Sequence, residues 1–166
     1  MKKVVQQENK VLRQVATPVS VSEINKPALK QIIADMSEAL AACYDGVALA
    51  APQIGVSLRL FVVSKNLFQD GAGDAVFINP VITKAARKRV ILDEGCLSVR
   101  HMYGKTKRSE KVTVQAYDET GHLFSWNASG LMAQIFQHEI DHLDGILFID
   151  HATDLHEHNP DASEKN

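Results

Sequence analysis

At 166 residues, 45% of them hydrophobic, the chain is long enough for one domain with a substantial core. Eighteen basic against 20 acidic residues leave a formal charge of −2, which advertises neither a nucleic-acid nor an anionic-membrane surface and points to small molecules or peptides as partners. Two cysteines are too few for a disulfide framework, no stretch approaches the roughly 20 apolar residues of a membrane span, and no apolar core follows Met1-Lys2-Lys3 as a secretory signal requires; a soluble, cytoplasmic protein is expected.

Residues 1–25 show no clear periodicity before the Thr17-Pro18 turn signal. From Pro27 to about Tyr44, Leu29, Ile32, Ile33, Met36, Leu40 and Cys43 recur at the helical period, with Pro27 suited to the first turn and Gly46 to a stop. This predicts an N-terminal amphipathic helix, in which Cys43 reads as a small core side chain. The stretch Gly46-Val47-Ala48-Leu49-Ala50-Ala51-Pro52-Gln53-Ile54-Gly55 is small and apolar with one amide. It can let the backbone approach a ligand, and a tight turn packed on the core explains it about as well.

Strands are predicted at residues 58–64, 76–79, 81–83 and 90–92, with a turn at Asp70-Gly71-Ala72-Gly73-Asp74. Residues 111–118 alternate Val112, Val114 and Ala116 with polar neighbours, and Glu119-Thr120-Gly121 turns them into a strand over 122–126, a hairpin. The basic runs Arg87-Lys88-Arg89 and Lys105 to Arg108 read as solvated strand ends.

A second helix, capped by Asn127 or Ser129, carries Leu131, Met132, Ile135, Phe136, Ile140 and Leu143 and stops at Gly145. It contains Gln137-His138-Glu139-Ile140-Asp141-His142, an H-E-x-x-H pattern. Its two histidines share one helix face, as a metal requires, and Glu139 beside them can take a proton from a water held there. After Asp150 the chain turns polar, so residues 151–166 are expected to be a loosely ordered tail whose histidines, His151, His156 and His158, are solvated. The element order predicts an α+β fold, antiparallel or mixed β-sheets wrapped around the H-E-x-x-H helix, in a single domain over 1–150.

A catalytic site of this kind uses three protein ligands. Cys96, in Glu94-Gly95-Cys96-Leu97-Ser98, follows a predicted strand and can complete a Cys-His-His set; spacing alone leaves a buried small side chain equally open. Taken together, the stretches 46–53, 94–98 and 137–145, with Leu12-Arg13 and Pro18-Val19 upstream, resemble the peptide deformylase family in order and separation.

The resemblance implies that Cys96, His138 and His142 hold one divalent metal, ferrous iron foremost, with zinc, nickel or cobalt also accommodated. It implies hydrolysis of the N-formyl group from the starting methionine of nascent peptides, with Glu139 as general base and Gln53 and the Leu97 N–H as oxyanion donors. Glu94 and Arg108 resemble a pair that supports the site, and Asp141 either orients a ligand histidine or caps local backbone. Gly46, Val47, Ala48, Leu131, Gln134 and Ile135 would border the substrate. Transient ribosome contact is compatible with the resemblance, although the polar tail lacks the basic helix that some members use.

Three positions depart from the family pattern. Ala48 stands where glycine is usual, Arg100 follows Val99 where proline is common and gives the loop 100–107 its own shape, and Gln134 puts an amide near a largely apolar pocket. Gln134 either turns aside to bond backbone or alters side-chain selectivity. Competing readings are a zinc endopeptidase, whose third ligand usually lies downstream of the helix, and a catalytically weak metal- or peptide-binding homologue.

Overall fold

The computed structural model describes residues 2–68 and 73–158. Among them are two α-helices and eight strands: α1 Pro27–Ala41, β1 Ala48–Ala50, β2 Leu60–Val63, β3 Ala75–Ala85, β4 Arg89–Cys96, β5 Val99–Ser109, β6 Lys111–Tyr117, β7 Leu123–Ser129, α2 Gly130–Leu143 and β8 Thr153–Glu157. The strands form two antiparallel sheets, one in the order β1-β2-β3-β6-β7 and the other β4-β5-β8. The α+β class expected from the sequence is the one observed.

Pro27 opens α1, and the buried Leu29, Met36, Ala39 and Leu40 fix its inward face. The helix closes at Ala41, three residues short of Tyr44, because the Cys43 N–H bonds the Leu40 carbonyl and tightens the last turn. Cys43 is half-buried rather than part of the core, and Tyr44 is exposed.

The two short strands expected over 76–83 are one strand, β3. Its pairing with β6 shifts between Ile78 and Val81, around Pro80, which has no N–H to give. Asn79 takes a positive φ of 51° there and holds both main-chain groups of Val19, accepting from its N–H at 2.8 Å and donating to its carbonyl at 2.7 Å. The predicted turn falls partly outside the described residues, at 70–72; Asp74 accepts from the Lys65 N–H at 2.9 Å.

Two expectations are overturned. The loop predicted over 100–107 belongs to β5, which pairs with β4 from Arg89↔Ser109 to Gly95↔Tyr103. Its inward residues are Gly104, Thr106 and Arg108 and its outward ones Lys105 and Lys107, so a real period of two carries no hydrophobic signal. The tail is likewise not loose over its described length, since β8 pairs with β5 through Met102↔Glu157, Tyr103↔His156 and Lys105↔Thr153. Every residue of β8 is exposed, so backbone pairing and contacts such as Tyr103 with His156 hold it in place of burial. Residues 159–166 lie outside the described part.

Helix α2 packs on β1, β2, β6 and β7 of the larger sheet and on β5 of the smaller. Phe136 enters an aromatic cluster in which Phe61 and Phe77 stack at 4.6 Å and Phe77 lies 4.8 Å from Phe136. Gln137, buried among apolar neighbours, accepts from the Ser109 N–H at 2.9 Å and donates to the Ser109 carbonyl at 3.0 Å, pinning the rotation of the helix against the end of β5. Ser129 occupies the N-cap without a side-chain bond, and Asn127, the other predicted cap, lies in β7 and bonds Thr113. At the far end the Leu143 carbonyl accepts from the Ala16 N–H at 2.8 Å and from Arg59 at 3.1 Å.

Gly145 ends this segment at φ +74°, and an added Cβ would stand 2.9 Å from the Arg13 backbone. Gly121 also has positive φ, +87°, but its nearest neighbours would be 3.9 Å away. Gly121→Ala should therefore cost only the left-handed strain, about 1 kcal/mol. Gly145→Ala adds a backbone clash and should cost about 3 kcal/mol, a difference readable in urea denaturation midpoints.

Candidate active site

The site joins the end of β4 to the middle of α2. Cys96 sits where the β4–β5 pairing jumps from Gly95↔Tyr103 to Cys96↔Val99. Residue 95 is glycine where a Cβ would meet the Tyr103 ring at 2.8 Å, so any side chain there would have to push that ring aside. The ligand atoms of Cys96, His138 and His142 all lie within 4.8 Å of one another, with Cys96 Sγ and His142 Nε2 3.2 Å apart. Sγ also accepts from the Ser98 N–H at 3.4 Å and from Gln53 Nε2 at 3.6 Å.

Glu94, two residues before the cysteine, is buried and fully engaged. It accepts from Arg108 through Nε (3.1 Å) and Nη2 (2.6 Å), from Thr106 Oγ1 (2.6 Å) and from His138 Nδ1 (2.5 Å). Burial alone would raise its pKa, but the bonds from His138 and Arg108 outweigh burial and hold the carboxyl far below the usual carboxylate range. An ionised carboxylate cannot donate, so His138 Nδ1 carries a proton. Arg108 also donates to Asp141 at 2.6 Å, so Asp141 supports the arginine and neither of the roles expected for it applies.

Glu139 is buried, and burial pushes its carboxyl up to about 7. Among the described residues its Oε2 has no hydrogen-bond partner. His142 is buried too, and burial together with the neighbouring His138 moves its pKa well below the ordinary value, favouring the neutral ring that can act as a ligand. Gln53 stands in a short turn after β1 with its amide fixed: Oε1 accepts from the Ala50 N–H at 2.8 Å and Nε2 donates to Ser98 Oγ at 3.1 Å.

A cleft of about 790 Å³ opens beside these groups. Gly46, Val47, Ala48, Gln53, Leu97, Leu131, Gln134, Ile135, Glu94, Cys96, His138 and Glu139 all border it, whereas His142 and Arg108 stand behind, buried. Sequence reasoning left out Arg100, His101, Met102 and Tyr103, which also border the cleft, because their strand was read as a loop. It also left out Thr106 and Ser98, whose hydroxyls hold Glu94 and Gln53; neither sits in a pattern that would mark it.

The donor set fits a metal. A thiol and two imidazoles converge, one imidazole is oriented by a carboxylate, and an unpartnered carboxylate oxygen lies buried beside them. Three donors that could hold one metal, with a buried carboxylate beside them on an α+β frame, are the arrangement of a mononuclear metallohydrolase.

The sequence profile described as Polypeptide deformylase matches residues 1–158, and the chain belongs to that family. A curated relative named Peptide deformylase from Symbiobacterium thermophilum is 46% identical over 163 residues, covering 98% of this chain and 71% of the relative. The crystal structure of a peptide deformylase from Legionella pneumophila superposes with a TM-score of 0.84 at 39% identity, covering 93% of this chain and 87% of that one. A peptide deformylase from Synechococcus elongatus in complex with actinonin gives 0.83 at 37% identity, covering 92% and 79%. The chain is accordingly an enzyme of peptide deformylase activity, and neither the endopeptidase nor the silent-homologue reading is favoured. Among the described residues no helix is long and apolar enough to cross a membrane.

Glu94 supplies a test by pH. Its folded pKa is depressed, so its contribution to stability is complete above the unfolded carboxylate value of about 4.3 and is lost as pH falls through the folded one. Arg108→Ala, which leaves that carboxylate buried without its main partner, should destabilise the protein by about 3–5 kcal/mol at neutral pH. The gap to the unaltered protein should narrow as the denaturation measurements move below about pH 4.

Proposed function

We propose that the cleft binds N-formylmethionyl peptides and that Glu139 is the general base that removes their formyl group. The single observation that carries this reading is the buried, unpartnered Glu139 carboxylate set beside the Cys96, His138 and His142 donor set at the cleft wall. Burial raises the proton affinity of Glu139, the direction a group that takes and then returns a proton needs.

A divalent metal held by Cys96 Sγ and one ring nitrogen from each of His138 and His142 would supply Lewis acidity, making a water nucleophilic near neutral pH. Ferrous iron is the metal we propose, with zinc, nickel and cobalt as substitutes that the same thiolate–imidazole set can hold. Glu139 takes a proton from the attacking water as its oxygen bonds to the formyl carbon. As the carbon–nitrogen bond breaks, Glu139 returns the proton to the departing nitrogen, leaving formate and a free amine. Gln53 Nε2 and the Leu97 N–H are the donors for the oxyanion, and the Ala50 and Ser98 bonds to the Gln53 amide keep that donor oriented before substrate arrives. Gly46, Val47 and Ala48 would flank the peptide on one side, and Leu131, Gln134 and Ile135 would border its first side chain on the other. We place the reaction in the cytoplasm, on the first residue of new chains.

Glu139→Ala should lower formate release from a formyl-Met peptide by about 10²–10⁴-fold while metal analysis finds the metal retained. Cys96→Ala should lose the metal itself. Equal loss of metal in both variants would mean that Glu139 holds the site together and does not move the proton.

A further inference from the structure

Gln134 lies one helical turn before His138 on α2 and borders the cleft. Its Nε2 donates to the Asp93 carbonyl at 2.8 Å and stands 3.4 Å from Glu94 Oε2. Both partners are acceptors with no proton to give, one a carbonyl and the other a carboxylate kept ionised by Arg108. An amide turned the other way would press its own oxygen against two oxygens. The chemistry of the partners therefore assigns the amide orientation.

What this leaves over is Oε1. It makes no hydrogen bond among the described residues and is not sealed from solvent. The neighbours of Gln134 on the same helix face, Leu131 and Ile135, offer only hydrocarbon to the cleft. We propose that Gln134 Oε1 is a fixed hydrogen-bond acceptor in the pocket for the first side chain. The enzyme then accepts N-formyl peptides whose first residue carries an N–H or O–H donor at about the length of methionine, alongside formyl-methionine. This rests on the deformylase reading of the cleft. A wholly apolar pocket would strip such a donor of water and give nothing back, whereas the acceptor replaces the lost bond. Its anchoring to β4 means that little rotamer freedom is lost when it does so.

The test compares kcat/KM for otherwise identical formyl-Met, formyl-norleucine and formyl-Gln tripeptides in the metal-loaded enzyme and in Gln134→Leu and Gln134→Met. Because Gln134 also touches Glu94, absolute rates will shift; the formyl-Gln to formyl-norleucine ratio within each protein cancels changes in active fraction. That ratio should fall about tenfold in both variants. A ratio within about twofold of the unaltered enzyme in either variant overturns the proposal. Should neither variant fold, the unaltered enzyme decides alone: formyl-Gln turnover within about 30-fold of formyl-norleucine supports the acceptor, and a larger deficit overturns it. Absence of formate release from formyl-Met by the unaltered enzyme, with bound metal confirmed, would instead overturn the deformylase reading and this inference with it.

Discussion

The buried Glu94–Arg108 pair is the contact on which the site depends. Glu94 belongs to β4, Arg108 to β5, and the two side chains reach His138 and Asp141 on α2, so one charge network ties three elements together. A buried ion pair is weak evidence for stability, because desolvation consumes most of its Coulombic gain. Its value here is geometric. Glu94 sets the proton position and ring orientation of one ligand histidine while lying two residues from the ligand cysteine. The strand and the helix cannot move independently without breaking a bond to this carboxylate.

The helix is held against rotation by contacts unrelated to the metal. The Gln137 amide reads both main-chain groups of Ser109, Phe136 fills the aromatic cluster, and the Leu143 carbonyl is taken by Ala16 and Arg59. A helix turns 100° per residue, so fixing residues 136, 137 and 143 also fixes the direction of 138, 139 and 142. Ligand placement is thus set by the apolar core on one side of α2 and by Glu94 on the other. Neither alone would bring the two imidazoles and the Cys96 sulfur together.

That Cys96, His138 and His142 lie together was legible in the sequence because they stand in short stretches. H-E-x-x-H on a helix and Glu-Gly-Cys after a strand are local patterns, and the periodicity of residues 131–143 was sufficient to place the helix. What escaped is what periodicity cannot express. In β5 the inward residues are glycine, threonine and arginine; Thr106 and Arg108 point inward to bond Glu94 and not to avoid water, and Gly104 leaves room for Leu155 and Ala152. In β8 nothing is buried, so no residue type could have announced it. The Asn79 clasp on Val19 depends on residues 60 apart and on a positive φ, and Gln137 looks like a flaw in an apolar stripe until Ser109 is beside it. Arg108 was identified, but its second partner Asp141 was not, because the geometry that joins them arises only when β5 packs on α2.

Two buried carboxylates near one histidine show how the fold divides labour. Glu94 is surrounded by donors and ionises far more readily than in water; Glu139 is surrounded by apolar burial with an oxygen left unpaired, and its proton affinity rises instead. The same residue type is driven toward the anion in one place, by hydrogen-bond donors and positive neighbours, and toward the protonated form in the other, by desolvation. A donor such as the threonine that Glu94 has would, placed at Glu139, favour the ionised carboxyl and weaken its hold on a proton.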